Sequence, residues 1–133
     1  MSRRNYYTGK YKLSKEEYLS AKYYALRYNA WLDEYNALKD SVAAVVPDDM
    51  PHGSGPGNPT ERLAIRREEL RKKMKVVEDA AAETDSEYCQ WILKRVVHGL
   101  SYDYLATYEN LFCSRATFYR MIRKFYWILA EKM

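Results

Sequence analysis

Apolar and aromatic residues after Ser14 recur in steps of three and four: Tyr18, Ala21, Ala25, Tyr28, Leu32, Tyr35 and Val42, with Lys39 interrupting. A helix turns about 100° per residue, so this spacing keeps them on one face. "SKEE", Ser14 to Glu17, is a capping box in which the Ser14 hydroxyl takes an orphan amide and Glu17 reaches back. One long helix is therefore expected from Ser14 to about Val46, just before Pro47.

The next stretch, "PDDMPHGSGPGNPT", holds all four prolines of the chain and a cluster of glycines. It cannot continue a helix, and composition alone makes it a linker. Thr60 then reads as the cap of a second helix with Pro59 just outside it. Leu63, Leu70, Met74, Val77 and Ala81 form its apolar stripe, while "RREELRKKMK" mixes both charges as solvated ion pairs do. Two long helices joined by one loop bury both stripes by folding back on each other. A parallel dimeric coiled coil is the other way to cover them, but Lys39 and scattered Ala and Tyr positions spoil a heptad seam.

Beyond Ala81 the elements shorten. "ETDSE" carries a second candidate capping box, Thr84 with Glu87, ahead of a helix that turns Tyr88, Trp91, Ile92 and Val96 inward and stops at Gly99. Ser101 caps a short helix, "YDYLATY", whose Ala106 leaves room for a neighbour. "ENLFC" is a turn, and Ser114 caps the last helix. No segment alternates as a strand does. The expected fold is all-α: a flexible basic arm over 1–13, a long antiparallel helical hairpin over 14–83 with its Pro/Gly loop at 47–59, and a helix-turn-helix domain over 84–133.

The last helix, "RATFYRMIRKFYWILA", has two characters. Phe118, Met121, Ile122, Phe125 and Leu129 share one arc; Ala116, Arg120, Arg123 and Trp127 share the opposite one, flanked by Tyr119 and Lys124. A major groove admits one helix, whose first residues reach base edges. Arg bonds guanine through two parallel donors, Thr117 or Ala116 can touch a thymine methyl, and amides behind Ser114 can meet a phosphate. The candidate DNA-binding set is Ser114, Arg115, Ala116, Thr117, Tyr119, Arg120, Arg123 and Lys124, with Arg3 and Arg4 of the arm adding phosphate or minor-groove contacts.

Charge placement strengthens that reading. Residues 1–12 carry four cations and no acid, and residues 114–133 carry five cations against Glu131. The middle holds 13 Lys and Arg against 17 Asp and Glu, so the overall +4 conceals two cationic ends. A solvated basic face is the plainer alternative. Fourteen tyrosines suit half-buried seams and phosphate contacts.

Composition excludes other classes. At 47% hydrophobic and 30% charged residues the chain reads as globular. No apolar run approaches the ~20 residues of a membrane span. "MSRRNYYTGKYK" has no apolar stretch behind its charges, so a cytoplasmic protein is expected rather than a secreted one. Cys89 and Cys113 lack metal-ligand spacing and read as buried thiols. His52 and His98 have no nucleophile partner at a recognisable spacing, and Glu68 and Glu69 diverge by about 100° on a helix. The expectation is no enzyme, no metal and no cofactor.

"SYDYLATYENLFCSRATFYRMIRKFYWILA" resembles region 4 of sigma factors and the phage regulators built like it, through Tyr102, Leu105, Ala106, Ser114, Thr117 and Phe118. "MPHGSGPGNPT" followed by a charged helix resembles the RinA and ArpU group of late-gene transcription regulators of phages from Gram-positive bacteria; Asn58 stands where Asp is common. This resemblance spans about Tyr18 to Leu129. It implies a DNA-binding activator of a phage or prophage late operon, acting in the cytoplasm of the bacterial host, and an ordered rather than spacer-like loop. Double-stranded promoter DNA is the expected partner, with host RNA polymerase and a second copy of the chain as further candidates. The alternatives are a polymerase-binding interaction protein that touches DNA little, and a small-terminase-like DNA-packaging recognition subunit.

Overall fold

A computed structural model describes residues 10–44 and 59–133; the expected loop, Arg3, Arg4 and His52 lie outside the described residues. Six helices follow in order: α1 (Lys15–Leu26), α2 (Tyr28–Ala44), α3 (Pro59–Thr84), α4 (Cys89–His98), α5 (Tyr102–Tyr108) and α6 (Arg115–Lys132). Among the described residues the fold is all-α, and no helix is long and apolar enough to cross a membrane.

The capping box forms as expected: Ser14 Oγ accepts from the Glu17 amide and Glu17 Oε1 accepts from the Ser14 amide, both at 3.1 Å. The single long helix does not persist. Arg27, at φ −75° and ψ −11°, interrupts it, and its amide is shared between the carbonyls of Tyr23 and Tyr24 at 3.3 and 3.2 Å. No proline or glycine marks the point. The two halves pack on different neighbours, α1 on α6 and α4, α2 on α3, and no single straight rod serves both.

α2 and α3 run antiparallel. Tyr28 of α2 donates its hydroxyl to Glu78 of α3 at 2.5 Å, and six residues later Glu34 meets Arg66 in a forked ion pair at 2.9 and 3.1 Å. Solvent screens half-exposed pairs of this kind, so they set register more than stability. Burial does the rest. Leu70, Met74, Val77 and Ala81 are buried as the stripe predicts, joined by Ala80. On α2 the residue most deeply inserted is Trp31, which the spacing passed over; Tyr28, Leu32 and Tyr35 are half-buried around it. Tyr24 meets the Trp31 ring edge-on at 4.9 Å, while Arg27 and Lys73 lie over it at 5.3 and 5.8 Å. The mixed face of α3 carries Arg66–Glu69, Arg71–Glu68 and Lys75–Asp79 pairs, as its charge pattern predicts.

Two expected caps are revised. α3 begins at Pro59 itself, a residue whose fixed φ suits the first helical position, so Thr60 lies inside the helix. Thr84 is buried at the end of α3 and donates its hydroxyl to the Ala80 carbonyl at 2.7 Å, so it caps nothing. Asp85 instead accepts from the amides of Glu87 and Tyr88 at 2.9 and 3.0 Å, turning the chain into α4. Gly99 closes α4 at φ 71°, the left-handed conformation its lack of a Cβ allows.

One continuous core runs from Leu13 through α1, α3, α4 and α5 to Leu129 of α6, and Thr84 is enclosed by it. α3 lies along α6 as well as along α2, which fixes α6 by its inner arc. The end of the expected arm belongs to this body too: Leu13 is buried, and Tyr11 packs on α6.

Candidate nucleic-acid interface

α4, α5 and the start of α6 are pinned to one another by polar contacts as well as by packing. Trp91 Nε1 donates to the Glu109 carbonyl at 2.8 Å, and Lys94 meets the Glu109 carboxylate at 2.8 Å. Tyr102 donates its hydroxyl to the Cys113 carbonyl at 2.6 Å, just ahead of α6, and its ring packs on Phe118. Ser101 caps α5 through the Tyr104 amide at 3.1 Å. The turn passes through Asn110 at φ 58°, and Leu111 inserts into the core. Cys113 is partly enclosed, and burial pushes its thiol above the ordinary range; both cysteines are free thiols and only half-buried.

Ser114 is extended at φ −67° and ψ 157°, and its Oγ accepts from the Thr117 amide at 3.1 Å. The first turn of α6 contains no acid, so no carboxylate of its own offsets the positive helix end. Phe118, Ile122, Phe125 and Leu129 are buried as the arc predicts, whereas Met121 is only half-buried. Tyr126, which the arc did not include, is buried as well.

The predicted contact residues divide into three groups. Ala116, Thr117 and Arg120 are exposed on the outer side. Arg120 donates Nε to the Ala116 carbonyl at 3.3 Å and forms no ion pair among the described residues. Lys124 and Arg123 follow, half-buried on the same helix, with Arg123 Nε donating to the Tyr119 carbonyl at 3.4 Å. Arg115 is engaged elsewhere: its guanidinium pairs with Asp103 and lies 5.0 Å over the Tyr102 ring, so it ties α6 to α5. Tyr119 turns away from the outer arc into a cleft against α1 and α4. Trp127, at the outer pole, meets Tyr11 edge-on with centroids 5.4 Å apart, so the residues before α1 bound the outer face toward the C-terminus.

Two features near this face are absent from the pattern reading. Tyr104, Tyr108 and Phe112 are exposed by 43%, 72% and 85%, with the two tyrosine rings 5.2 Å apart. The cleft beside Tyr119 brings together Lys22 of α1 and Arg95 of α4. The exposed aromatics were legible as an i, i+4 pair on a short helix; the cleft joins residues more than seventy positions apart and has no local signal. Among the described residues no cluster of three or more His, Cys, Asp or Glu is placed to hold a metal ion.

Comparison with protein-family models, with curated proteins and with solved structures gives no match for this chain.

Proposed function

We propose that this protein is a sequence-specific DNA-binding regulator of transcription in which α4, α5 and α6 act as a helix-turn-helix and α6 enters the major groove. The observation that carries the reading is the acid-free, Ser114-capped start of α6, with Ala116, Thr117 and Arg120 exposed on one side while Phe118 and Ile122 are buried on the other. A helix anchored by one arc and cationic along the other suits a duplex, because phosphates hold the register and the first turns reach bases. With the resemblance to late-gene regulators, the expected role is activation of a phage or prophage late operon in a bacterial host. Arg120 is the first candidate for a base contact, and Lys124 for a phosphate.

The exposed aromatics Tyr104, Tyr108 and Phe112 favour a second reading, in which the same domain docks on RNA polymerase. Fluorescence anisotropy with a duplex from the chain's own upstream region separates the two. The DNA reading predicts an affinity that falls with salt at a log–log slope of about 0.9 for each phosphate neutralised. It also predicts that Arg120→Ala costs roughly 1–3 kcal/mol on the preferred duplex and less on a random one. Absence of salt-dependent binding, with polymerase captured equally before and after nuclease treatment, sustains the second reading instead.

A further inference from the structure

A cleft of about 280 Å³ opens between α1, α4 and α6. It is lined by Ile122, by the tyrosines Tyr18, Tyr119 and Tyr126, and by Lys22 and Arg95 of two different helices. No acid lines it. Neither Lys22 nor Arg95 has an ion pair among the described residues; the only polar contact of Arg95 there is a long one, 3.5 Å, to the Leu100 carbonyl. Two cations lining one cleft without a counter-charge favour an anion there.

Tyr126 adds an independent observation. It is 7% exposed, yet its hydroxyl has no hydrogen-bond partner among the described residues and borders the cleft. No buried side-chain nitrogen or oxygen among the described residues lacks a partner, so this hydroxyl is open to solvent at the cleft edge, where it can donate to an acceptor. Burial, and then Tyr18, raise its pKa while Arg95 opposes them, which puts the guanidinium charge close to the hydroxyl and keeps the phenol a neutral donor at pH 7.

We propose that this cleft is a phosphate-binding site, with Lys22 and Arg95 supplying charge and the Tyr126 hydroxyl donating to a phosphate oxygen. A tetrahedral phosphate offers acceptors in several directions at once, which suits donors carried by three helices that line one cleft; Arg and Lys are the side chains suited to it. The phosphate can come from a free phosphorylated ligand or from a nucleic-acid backbone.

The site does not depend on the DNA reading and is tested without DNA. Isothermal titration of the full chain with inorganic phosphate, at ionic strength held constant with chloride, should give saturable one-site binding. Tyr126→Phe removes one oxygen and keeps the ring, so the fold is retained and affinity should fall about fivefold, the worth of one hydrogen bond. Lys22→Gln should weaken binding by about tenfold or more, as loss of a charge-assisted contact does. No saturable binding beyond the chloride control overturns the site, and so does unchanged affinity in both variants. Repeating the titration with a saturating DNA duplex identifies the source. Exclusion of inorganic phosphate by the duplex places a backbone phosphate in the cleft, and unchanged binding assigns it to a small phosphorylated ligand.

Discussion

Tyr11 and Trp127 meet edge to face across the outer pole of α6, 5.4 Å between centroids and inclined at 63°. The contact sets Tyr11 against the last third of α6, while Ala116, Thr117 and Arg120 in the first turns are exposed among the described residues. It also accounts for a tryptophan on the arc opposite the core: its neighbour is the chain's own tyrosine. Aromatic pairs of this geometry contribute about 0.5–1.5 kcal/mol beyond the area they bury. Tyr11→Ala is therefore expected to lower unfolding free energy by about 1 kcal/mol in a urea titration and to make the bonds before Leu13 more sensitive to protease. Unchanged proteolysis would show that Leu13 alone holds the segment.

Asp103 competes for the helix start. Its carboxylate holds Arg115, and both side chains are more than half exposed, so the pair is worth about 0–1 kcal/mol in stability. Asp103→Asn removes one negative charge from the rim and releases Arg115. Melting should change little, whereas duplex affinity should rise and the salt slope steepen by about 0.9, one additional phosphate. A weaker complex from this variant means that Arg115 must stay against α5 for the helix to dock.

Ser114 separates stability from binding. Ser114→Ala removes a side-chain cap and should cost about 1 kcal/mol of unfolding free energy. Ser114→Asp restores the cap, because a carboxylate accepts the Thr117 amide and complements the positive helix end. The same charge repels a phosphate approaching that end. The Asp variant should melt like the parent protein and bind duplex DNA worse than the Ala variant; equal binding by the two would move the DNA contact away from the start of α6.

Alkaline pH should weaken the packing between α2 and α3. Burial above all, then the hydrogen bond to Glu78 and its charge, hold the Tyr28 phenol well above its ordinary value. Burial does the same to Tyr126 and, against the opposing charge of Arg27, to Tyr24. In the unfolded chain these phenols ionise near about pH 10. Their contribution is fully present below that pH and is lost as pH rises above it, because the unfolded state then gives up protons the folded state keeps. Tyr28→Phe should be somewhat less stable than the parent at pH 8 and decline less steeply above pH 10 in chemical denaturation followed by circular dichroism. Parallel declines would show that Tyr28 ionises freely in the folded protein.

Local chemistry is where the sequence spoke for itself. The capping box at Ser14, the caps at Ser101 and Ser114, the left-handed Gly99 and the inward arc of α6 each depend on residues within a turn or two of one another, so spacing and side-chain type decide them. The all-α class follows from the same periodicity. What only the tertiary structure decided depends on which element lies beside which. The break at Arg27 arises because α1 and α2 serve different neighbours, and no residue there is a helix breaker. Trp31 and Tyr126 are buried because α3 and α1 cover flanks that an isolated helix leaves open. Arg115 is held by an aspartate twelve residues away, Tyr119 lines a cleft, and Lys22 and Arg95 line the same cleft from positions far apart in the chain. A periodic pattern reports the inward face of each helix; the neighbours that turn a nominally outward residue into a contact are chosen by packing in three dimensions.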